Sequence, residues 1–263
     1  MTLGEWLSFA TQSIPKLEAQ VIAAHLFGRD RSWVIAHPEV EVDAERFDPL
    51  LSRRTAGEPL PYILGFREFY GRRFLVDPRV LIPRQETEIL VEMFLQTVEA
   101  LPGLRVADIG TGSGCIAITA ALERPELEVF GIDLSSVALE VARQNGVDVP
   151  VRFVCADGVE WLQENPVDVI LTNPPYVGFS DEIGPGVKEH EPHVALFAGE
   201  SGLTFYEKLA ACPWTGDLFC EIGMGQGDSI RALFASDEFV SSRNDLAGIE
   251  RVLHFRRRGI PRA

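Results

Sequence analysis

The chain has 263 residues and a net charge of −15, with 46% apolar and 24% charged residues. This length predicts about two domains with a substantial core, and no apolar run approaches the roughly 20 residues that a membrane helix needs. The acidic excess argues against naked nucleic acid as the main partner, because phosphate binding requires clustered lysines and arginines.

The first residues and the cysteines together predict a cytoplasmic protein. The segment Met1-Thr2-Leu3-Gly4-Glu5-Trp6 has no basic region, so we expect no secretory signal. The four cysteines show neither C-x-x-C pairing nor metal-ligand spacing. We therefore expect them to be reduced thiols in the core: Cys115, Cys155, Cys212 and Cys220.

Residues 1–65 are predicted to form a helical domain. Apolar positions from Leu17 to Phe27 follow a period near 3.6, with Gly28 as a stop, and a second helix is predicted over 43–56. The prolines within 58–61 predict a break in regular structure. Residues 66–78 alternate around a turn at Tyr70-Gly71, which predicts a hairpin, assigned to 66–80, that links the helical domain to a second domain over 81–263.

From Leu104 the pattern becomes strand, turn and helix in repetition. Strands are predicted over 105–109, 128–132, 151–155, 167–171 and 217–222, and helices over 115–123, 135–145, 203–211 and 228–234. Two further strands, 239–243 and 251–256, predict a terminal antiparallel hairpin. This alternation is typical of a doubly wound α/β fold with a mostly parallel sheet.

A glycine loop joins the first of these strands to its helix. The loop reads Gly110-Thr111-Gly112-Ser113-Gly114, and its glycines allow a backbone to approach a ligand closely. The spacing is G-x-G-x-G rather than the dinucleotide G-x-G-x-x-G. Alone, such a loop is equally consistent with a purely structural turn.

Two aspartates after the next strands strengthen the prediction of a cofactor site. Asp133 ends a strand about 20 residues after the loop, where a carboxylate can accept both hydrogen bonds of a ribose diol. Its alternative role is the N-cap of the following helix. Asp157 could accept from an adenine amino group or simply form a strand-end turn. The glycine loop, the ribose-type Asp133 and the nitrogen-binding residues 173–176, described next, together fit S-adenosylmethionine best.

Asn173-Pro174-Pro175-Tyr176 follows the apolar run 167–171 and predicts a nitrogen-binding site. The prolines stop the strand at the sheet edge where ligands of α/β proteins bind. The Asn173 side-chain oxygen and the Pro174 carbonyl are pure acceptors, suited to both hydrogens of a planar amino or amide nitrogen. Tyr176 offers a stacking face, and Pro175 shapes the turn.

Three other features are predicted to have no part in the chemistry. The second glycine loop, 223–227, is interpreted as a strand-to-helix turn. His190 and His193 lie in a Pro/Gly-rich loop without a convincing third ligand, so we expect a solvated or substrate-facing loop rather than a metal site. The basic cluster 256–258 is interpreted as a solvated strand end.

The chain resembles the HemK/PrmC family, the glutamine N5-methyltransferases of peptide-chain release factors, over nearly its full length. The matching blocks are residues 58–65, 68–71, 81–88, 108–114, 173–176, 202–206, 221–227 and 245–251. Residues 173–176 alone would also suit adenine-N6 methyltransferases, whereas the blocks at 58–65 and 81–88 separate the two families much better.

This resemblance implies a class I, Rossmann-like methyltransferase domain and an N-terminal helical domain that helps to hold a class I release factor. It implies S-adenosylmethionine as cofactor, bound by residues 110–114, Asp133, Asp157, Gly158 and Asn173, and a glutamine acceptor held by residues 173–176. The sequence departs from the family at Gln85, usually proline, and at Gly158, where many members have an aromatic residue against adenine. Val159 and Trp161 are alternative sources of that packing.

Two other functions remain open at this stage. An adenine-N6 methyltransferase would use the same acceptors on a flipped base, although the acidic charge weighs against it. A protein-binding module with a vestigial nucleotide fold is disfavoured by the intact loop, Asp133 and residues 173–176 together.

Overall fold

The structure, a computed structural model, describes residues 1–99 and 101–258; residue 100 and residues 259–263 of the predicted second domain lie outside the described part. The chain divides into two compact units. The first comprises Met1–Phe66 with Ile183–His190, and the second comprises Arg67–Glu182 with the chain from Glu191 onward. No helix in the described residues is long and apolar enough to cross a membrane.

The elements are numbered in chain order. The helices are α1 Leu3–Ala10, α2 Lys16–Phe27, α3 Arg31–Ala36, α4 Ala44–Thr55, α5 Leu60–Leu64, α6 Thr87–Thr97, α7 Cys115–Glu123, α8 Ser136–Asn145, α9 Gly158–Glu164, α10 Val187–His190, α11 Thr204–Ala211 and α12 Gly227–Leu233, with a 3-10 turn at His193–Ala195. The strands are β1 Phe66–Phe69, β2 Arg72–Leu75, β3 Arg105–Ile109, β4 Glu128–Asp133, β5 Val151–Cys155, β6 Val169–Thr172, β7 Gly216–Glu221, β8 Glu238–Asn244 and β9 Glu250–Arg257.

The first unit contains six helices within the described residues, α1–α5 and α10. Gly28 ends α2 in the left-handed conformation, and the Asp43 side chain caps α4, which confirms the two predicted helices. The predicted break at 58–61 is confirmed at Glu58 and Pro59, which lie in no helix or strand, but α5 already begins at Leu60. Its Pro61 lies in the first helical turn, where a missing backbone N–H costs nothing. The core is formed by buried Leu3, Trp6, Ile22 and Phe47, among others.

The predicted hairpin is confirmed by β1 and β2, which belong to the second unit from Arg67 onward. Tyr70 and Gly71 have φ angles of 51° and 71°, so both turn residues lie in the left-handed region. A two-residue turn with both φ angles positive matches the twist of the flanking strands.

The large sheet has seven strands in the order β5-β4-β3-β6-β7-β9-β8. Strands β3 to β7 are parallel, and β8 and β9 form the antiparallel terminal hairpin, so the predicted fold class is confirmed. The chain runs outward from β3 to β5 on one side and from β6 to β7 on the other. The order therefore reverses between β3 and β6, and that crevice is where open α/β sheets bind ligands.

Alternating side chains of the central strands bury both faces of this sheet. Val106 packs in one cluster with Phe94 and Ile116, whereas the adjacent Ala107 packs in the other with Tyr206. Because both faces of the sheet are covered, a ligand can reach it at the ends of the strands rather than on a face.

Two side-chain predictions hold only in part. Within the basic cluster 256–258, the Arg258 side chain is solvated as predicted, whereas Arg257 pairs with Asp237 at 2.6 Å and its guanidinium lies 4.3 Å from the ring centre of Trp214. Cys155 is exposed at the end of the edge strand β5, while the other three cysteines are buried as predicted.

Candidate active site

A cavity of about 280 Å³ lies at the carboxyl ends of β3, β4 and β6. Ile109 is in register with Ile132 on one side and with Thr172 on the other. The residues that follow these strand ends are thereby brought to one edge. Cavity-lining residues predicted from the sequence are Gly110, Gly112, Asp133, Asp157, Gly158, Asn173 and Pro175.

The glycine loop after β3 presents backbone rather than side chains to this cavity. Gly110 and Gly112 have φ angles of 74° and 55°, and a Cβ added at Gly110 would meet no atom within 4 Å. Gly114 serves packing instead, because its Cβ would lie 2.8 Å from Ile118. The side chains of Thr111 and Ser113 are buried, and neither residue lines the cavity.

Asp108, which sequence reasoning missed as a functional residue, holds the glycine loop and the start of α7 through hydrogen bonds. It is fully buried and accepts hydrogen bonds from the Thr111 hydroxyl at 2.6 Å and the Ala117 amide at 3.1 Å. Burial raises the pKa of its carboxyl to about 7. The available signal was an acidic residue inside an otherwise apolar strand, just before the loop.

Asp133 connects the ends of β4 and the glycine loop. Its two carboxylate oxygens accept from the backbone amides of Gly112 and Ser135, each at 2.8 Å. The N-cap alternative is wrong, because Ser135 itself caps α8 by accepting from the Ala138 amide. Burial raises the pKa of Asp133, and the residue lines the cavity.

Asp157 and Gly158, which follow β5, also line the cavity. Asp157 lines the cavity and also caps α9, accepting from the amides of Val159 and Glu160. A Cβ at Gly158 would lie 2.3 Å from Ile109 Cγ2, so no side chain fits there. Val159 lines the cavity. Trp161 does not: it packs against Phe130 with ring centres 5.3 Å apart.

Asn173 lies between this cavity and a smaller one of about 40 Å³. Its Nδ2 donates to Thr87 Oγ1 at 2.9 Å, whereas its Oδ1 is buried without a hydrogen-bond partner in the described residues. Pro174 and Tyr176 line the smaller cavity, and Pro175 lines the larger one. Asn173 therefore lines both cavities.

The second glycine loop supports the Tyr176 turn. Gln226 donates from Nε2 to the Tyr176 carbonyl at 2.9 Å and accepts at Oε1 from the Gly223 amide at 2.9 Å. A Cβ at Gly202 would lie 2.3 Å from the same Tyr176 oxygen. The loop leads directly into α12, which confirms the interpretation as a strand-to-helix turn. Burial raises the pKa of the Tyr176 hydroxyl to about 12, so this side chain stays neutral.

Sequence reasoning also missed an ion pair beside the smaller cavity. Arg84 lines that cavity and donates to Glu191 at 2.6 Å, and Glu191, almost fully buried, also accepts from the Ile82 amide at 3.0 Å. The apolar residues missed at the larger cavity include Leu134, Val194, Phe197 and Phe205. In the described part of the chain, no group of three or more His, Cys, Asp or Glu residues could hold a metal ion.

Comparison with known proteins agrees with this geometry. Two family models match the sequence: "PrmC N-terminal domain" over residues 6–65 and "Methyltransferase small domain" over residues 84–183. Among solved structures, a methyltransferase from Pyrococcus furiosus superposes with a TM-score of 0.53. It is 17% identical, and the match covers 81% of this chain and 98% of that one, which establishes the fold alone.

Two curated relatives cover nearly the whole chain. The release factor glutamine methyltransferase of Neisseria gonorrhoeae is 40% identical over 268 residues, 96% of each chain. That of Bordetella pertussis is 40% identical over 258 residues, 92% of this chain and 95% of the relative. The chain belongs to the release factor glutamine methyltransferase family.

Proposed function

We propose that this protein transfers a methyl group from S-adenosylmethionine to the side-chain nitrogen N5 of the glutamine in the Gly-Gly-Gln motif of class I release factors. The observation that supports it most directly is the buried, unpartnered Oδ1 of Asn173, placed where the two cavities meet. A buried acceptor without a partner costs about 1–3 kcal/mol, so a ligand that supplies the hydrogen recovers that cost.

The larger cavity fits S-adenosylmethionine. The open backbone at Gly110 and Gly112 admits close approach of a ligand, and the Asp133 carboxylate is available to a ribose diol. Asp157 reaches the cavity beside Val159, where an amino group and an apolar ring face would both find partners. The cofactor supplies a methyl group on a sulfonium; the protein supplies position and acceptors.

The smaller cavity suits the acceptor amide. An amide nitrogen is a poor nucleophile because its lone pair is delocalised into the carbonyl, as in the peptide bond. Methyl transfer moves positive charge onto that nitrogen. The Asn173 oxygen and the Pro174 carbonyl, aimed at its two hydrogens, then stabilise the transition state more than the ground state. Tyr176 would pack on the amide plane.

The relatives and the net charge favour glutamine over adenine as the acceptor. The curated relatives are named release factor glutamine methyltransferases. The net charge of −15 disfavours a nucleic-acid strand, so we propose no direct nucleic-acid substrate.

The helical residues 1–65 are proposed to recognise the body of the release factor in the cytoplasm. Four large apolar side chains of this unit are more than half exposed: Met1, Phe9, Leu17 and Ile35. Exposed apolar side chains of this kind are typical of protein-binding surfaces when they cluster. The helical unit would then govern affinity for the protein substrate, while the second unit carries the chemistry.

A labelling experiment tests the function. The protein is incubated with methyl-labelled S-adenosylmethionine and either a release factor or DNA. We expect label on the Gly-Gly-Gln glutamine and its loss when that glutamine is replaced. Asn173→Ala should keep S-adenosylmethionine affinity near wild type and reduce turnover on the order of 100-fold, the scale of one lost transition-state hydrogen-bond partner. Label on adenine, with an unlabelled release factor, would contradict the proposal.

A further inference from the structure

Glu191 is a buried carboxylate bonded to a chain segment that lines the smaller cavity. It is 4% exposed, and it accepts from the Ile82 amide at 3.0 Å and from the Arg84 guanidinium at 2.6 Å. Leu81 and Arg84 both line the smaller cavity. Because a buried carboxylate is costly unless it is paired, this ion pair fixes where the Arg84 charge lies.

The residues that follow Glu191 in the chain line the same cavity. Ala195 and Leu196 belong to its lining, as does Val177 after the strand-end turn. The Val177 amide donates to the Leu196 carbonyl at 3.0 Å, which pairs the two segments. Through its own bonds, Glu191 then ties them to residues 81–84, so its carboxylate holds together the segments that form this cavity.

Arg84 lies at the acceptor end of the proposed reaction rather than at the cofactor end. Its side chain belongs to a residue that lines the smaller cavity and does not line the larger one. Methyl transfer moves positive charge from the sulfonium in the larger cavity to the nitrogen in the smaller one. Positive charge would therefore move toward the guanidinium, and Coulomb repulsion would oppose the transfer unless an anion offsets it. Glu191, bonded to that guanidinium, supplies the offsetting charge.

We propose that Glu191 is a positioning residue for methyl transfer, which offsets the charge of Arg84 and holds residues 81–84 at the acceptor cavity. This role rests on the proposed function for the direction in which the charge moves. The two parts of the role are chemically separable. Glu191→Gln keeps a side-chain oxygen for the Ile82 amide but carries no charge, whereas Glu191→Ala removes both.

A double substitution with Arg84 isolates the effect of charge. Glu191→Gln should lower kcat at least tenfold while Arg84 is present, with KM for the release factor and affinity for S-adenosylmethionine each within threefold of wild type. In the Arg84→Met background the same substitution should lower kcat less than threefold, because no cation is left to offset. A loss of equal size in both backgrounds, or a Glu191→Gln kcat within twofold of wild type, would overturn the proposal.

Glu191→Ala tests the hold on residues 81–84. This substitution leaves the buried Ile82 amide without its acceptor, so kcat should fall at least threefold further than in Glu191→Gln. Arg84→Met should not restore that additional loss, since it concerns the backbone rather than the guanidinium. Equal kcat values for the alanine and glutamine substitutions would overturn the positioning part of the role.

A second buried ion pair provides the matched control. Asp237 pairs with Arg257 at 2.6 Å, and its side chain is 1% exposed, as is that of Glu191. Arg257 is in register with Gly216, where β7 begins, so this pair lies at the sheet edge away from the carboxyl strand ends. Asp237→Asn should keep kcat within twofold of wild type. A tenfold loss there would assign both effects to general destabilisation and overturn the proposal.

The identity of the acceptor is tested separately, because kcat can be followed on whichever substrate takes the methyl label. If DNA is methylated and the loss in Glu191→Gln still depends on Arg84, the proposed function fails and the role of Glu191 stands. If the release factor is methylated and the loss does not depend on Arg84, the role of Glu191 fails alone.

Discussion

Replacing Asp133 tests the assignment of the cofactor cavity. Its carboxylate accepts from the Gly112 and Ser135 amides at 2.8 Å each and lines the cavity. If it also binds the ribose diol, Asp133→Ala removes one or two charge-assisted hydrogen bonds, each worth roughly 1.5–3 kcal/mol. Affinity for S-adenosylmethionine should therefore fall by at least about tenfold, measured by isothermal titration.

The alanine variant also releases the tether on Gly112, so a second ligand is needed to separate the two effects. An analogue without the ribose 2′-hydroxyl should bind wild type about tenfold more weakly than S-adenosylmethionine does. The Asp133→Ala variant should bind both ligands with nearly the same affinity. If the variant still discriminates between them as wild type does, Asp133 acts only by ordering the loop, and the ribose assignment is wrong.

Three further predictions concern packing, stability and substrate recognition. Gly158→Ala forces a Cβ to 2.3 Å from Ile109 Cγ2 and should lower the free energy of unfolding in urea by about 1–3 kcal/mol. Adding Ile109→Ala should relieve part of that clash, so the double variant should be more stable than the sum of the two single effects predicts. Additive effects of the two substitutions would contradict the packing. Asp108 holds its proton up to pH about 7 when folded but loses it near pH 4 when unfolded, so this group's stabilising contribution falls as pH rises through that window. The free energy of unfolding of Asp108→Asn, relative to that of wild type, should therefore rise by on the order of a few kcal/mol between pH 4 and pH 7. If the difference between the two proteins is the same at both pH values, the raised pKa of Asp108 is wrong. Phe9→Ser and Ile35→Ser should raise KM for an intact release factor several-fold and leave KM for a short Gly-Gly-Gln peptide unchanged. Equal effects on KM for both substrates would argue against a recognition surface on the helical unit.

Local signals in the sequence were sufficient for much of the fold. The strand β3 and the helix α7 begin and end at the predicted residues, because apolar runs and glycine punctuation are properties of neighbours in the chain. The short helices α1, α3 and α5 were not predicted. Helices of five to eight residues carry little periodicity, and tertiary packing decides whether they form.

The candidate site was predictable only in part, because its support comes from distant segments. Asp133 and Asn173 stand at strand ends that the sequence itself marks. By contrast, the hydrogen bond from Asn173 to Thr87 spans 86 positions, and that from Gln226 to Tyr176 spans 50. Such pairs require the strand order and register, which no single-sequence pattern encodes. Similarly, the reason for glycine at 158 lies in Ile109, on another element.

The choice of asparagine rather than aspartate at position 173 follows from the same surroundings. Since Thr172 pairs with Cys220, an aspartate at 173 would bring a second carboxylate to the sheet edge where β7 ends at buried Glu221, and like charges at close range disfavour ionisation of both. A protonated carboxyl would offer a hydroxyl where an acceptor is required. The neutral carboxamide keeps an acceptor at this position, and folding has already removed it from water. Because that desolvation is complete before the acceptor arrives, the oxygen needs no reorganisation as charge develops on the nitrogen.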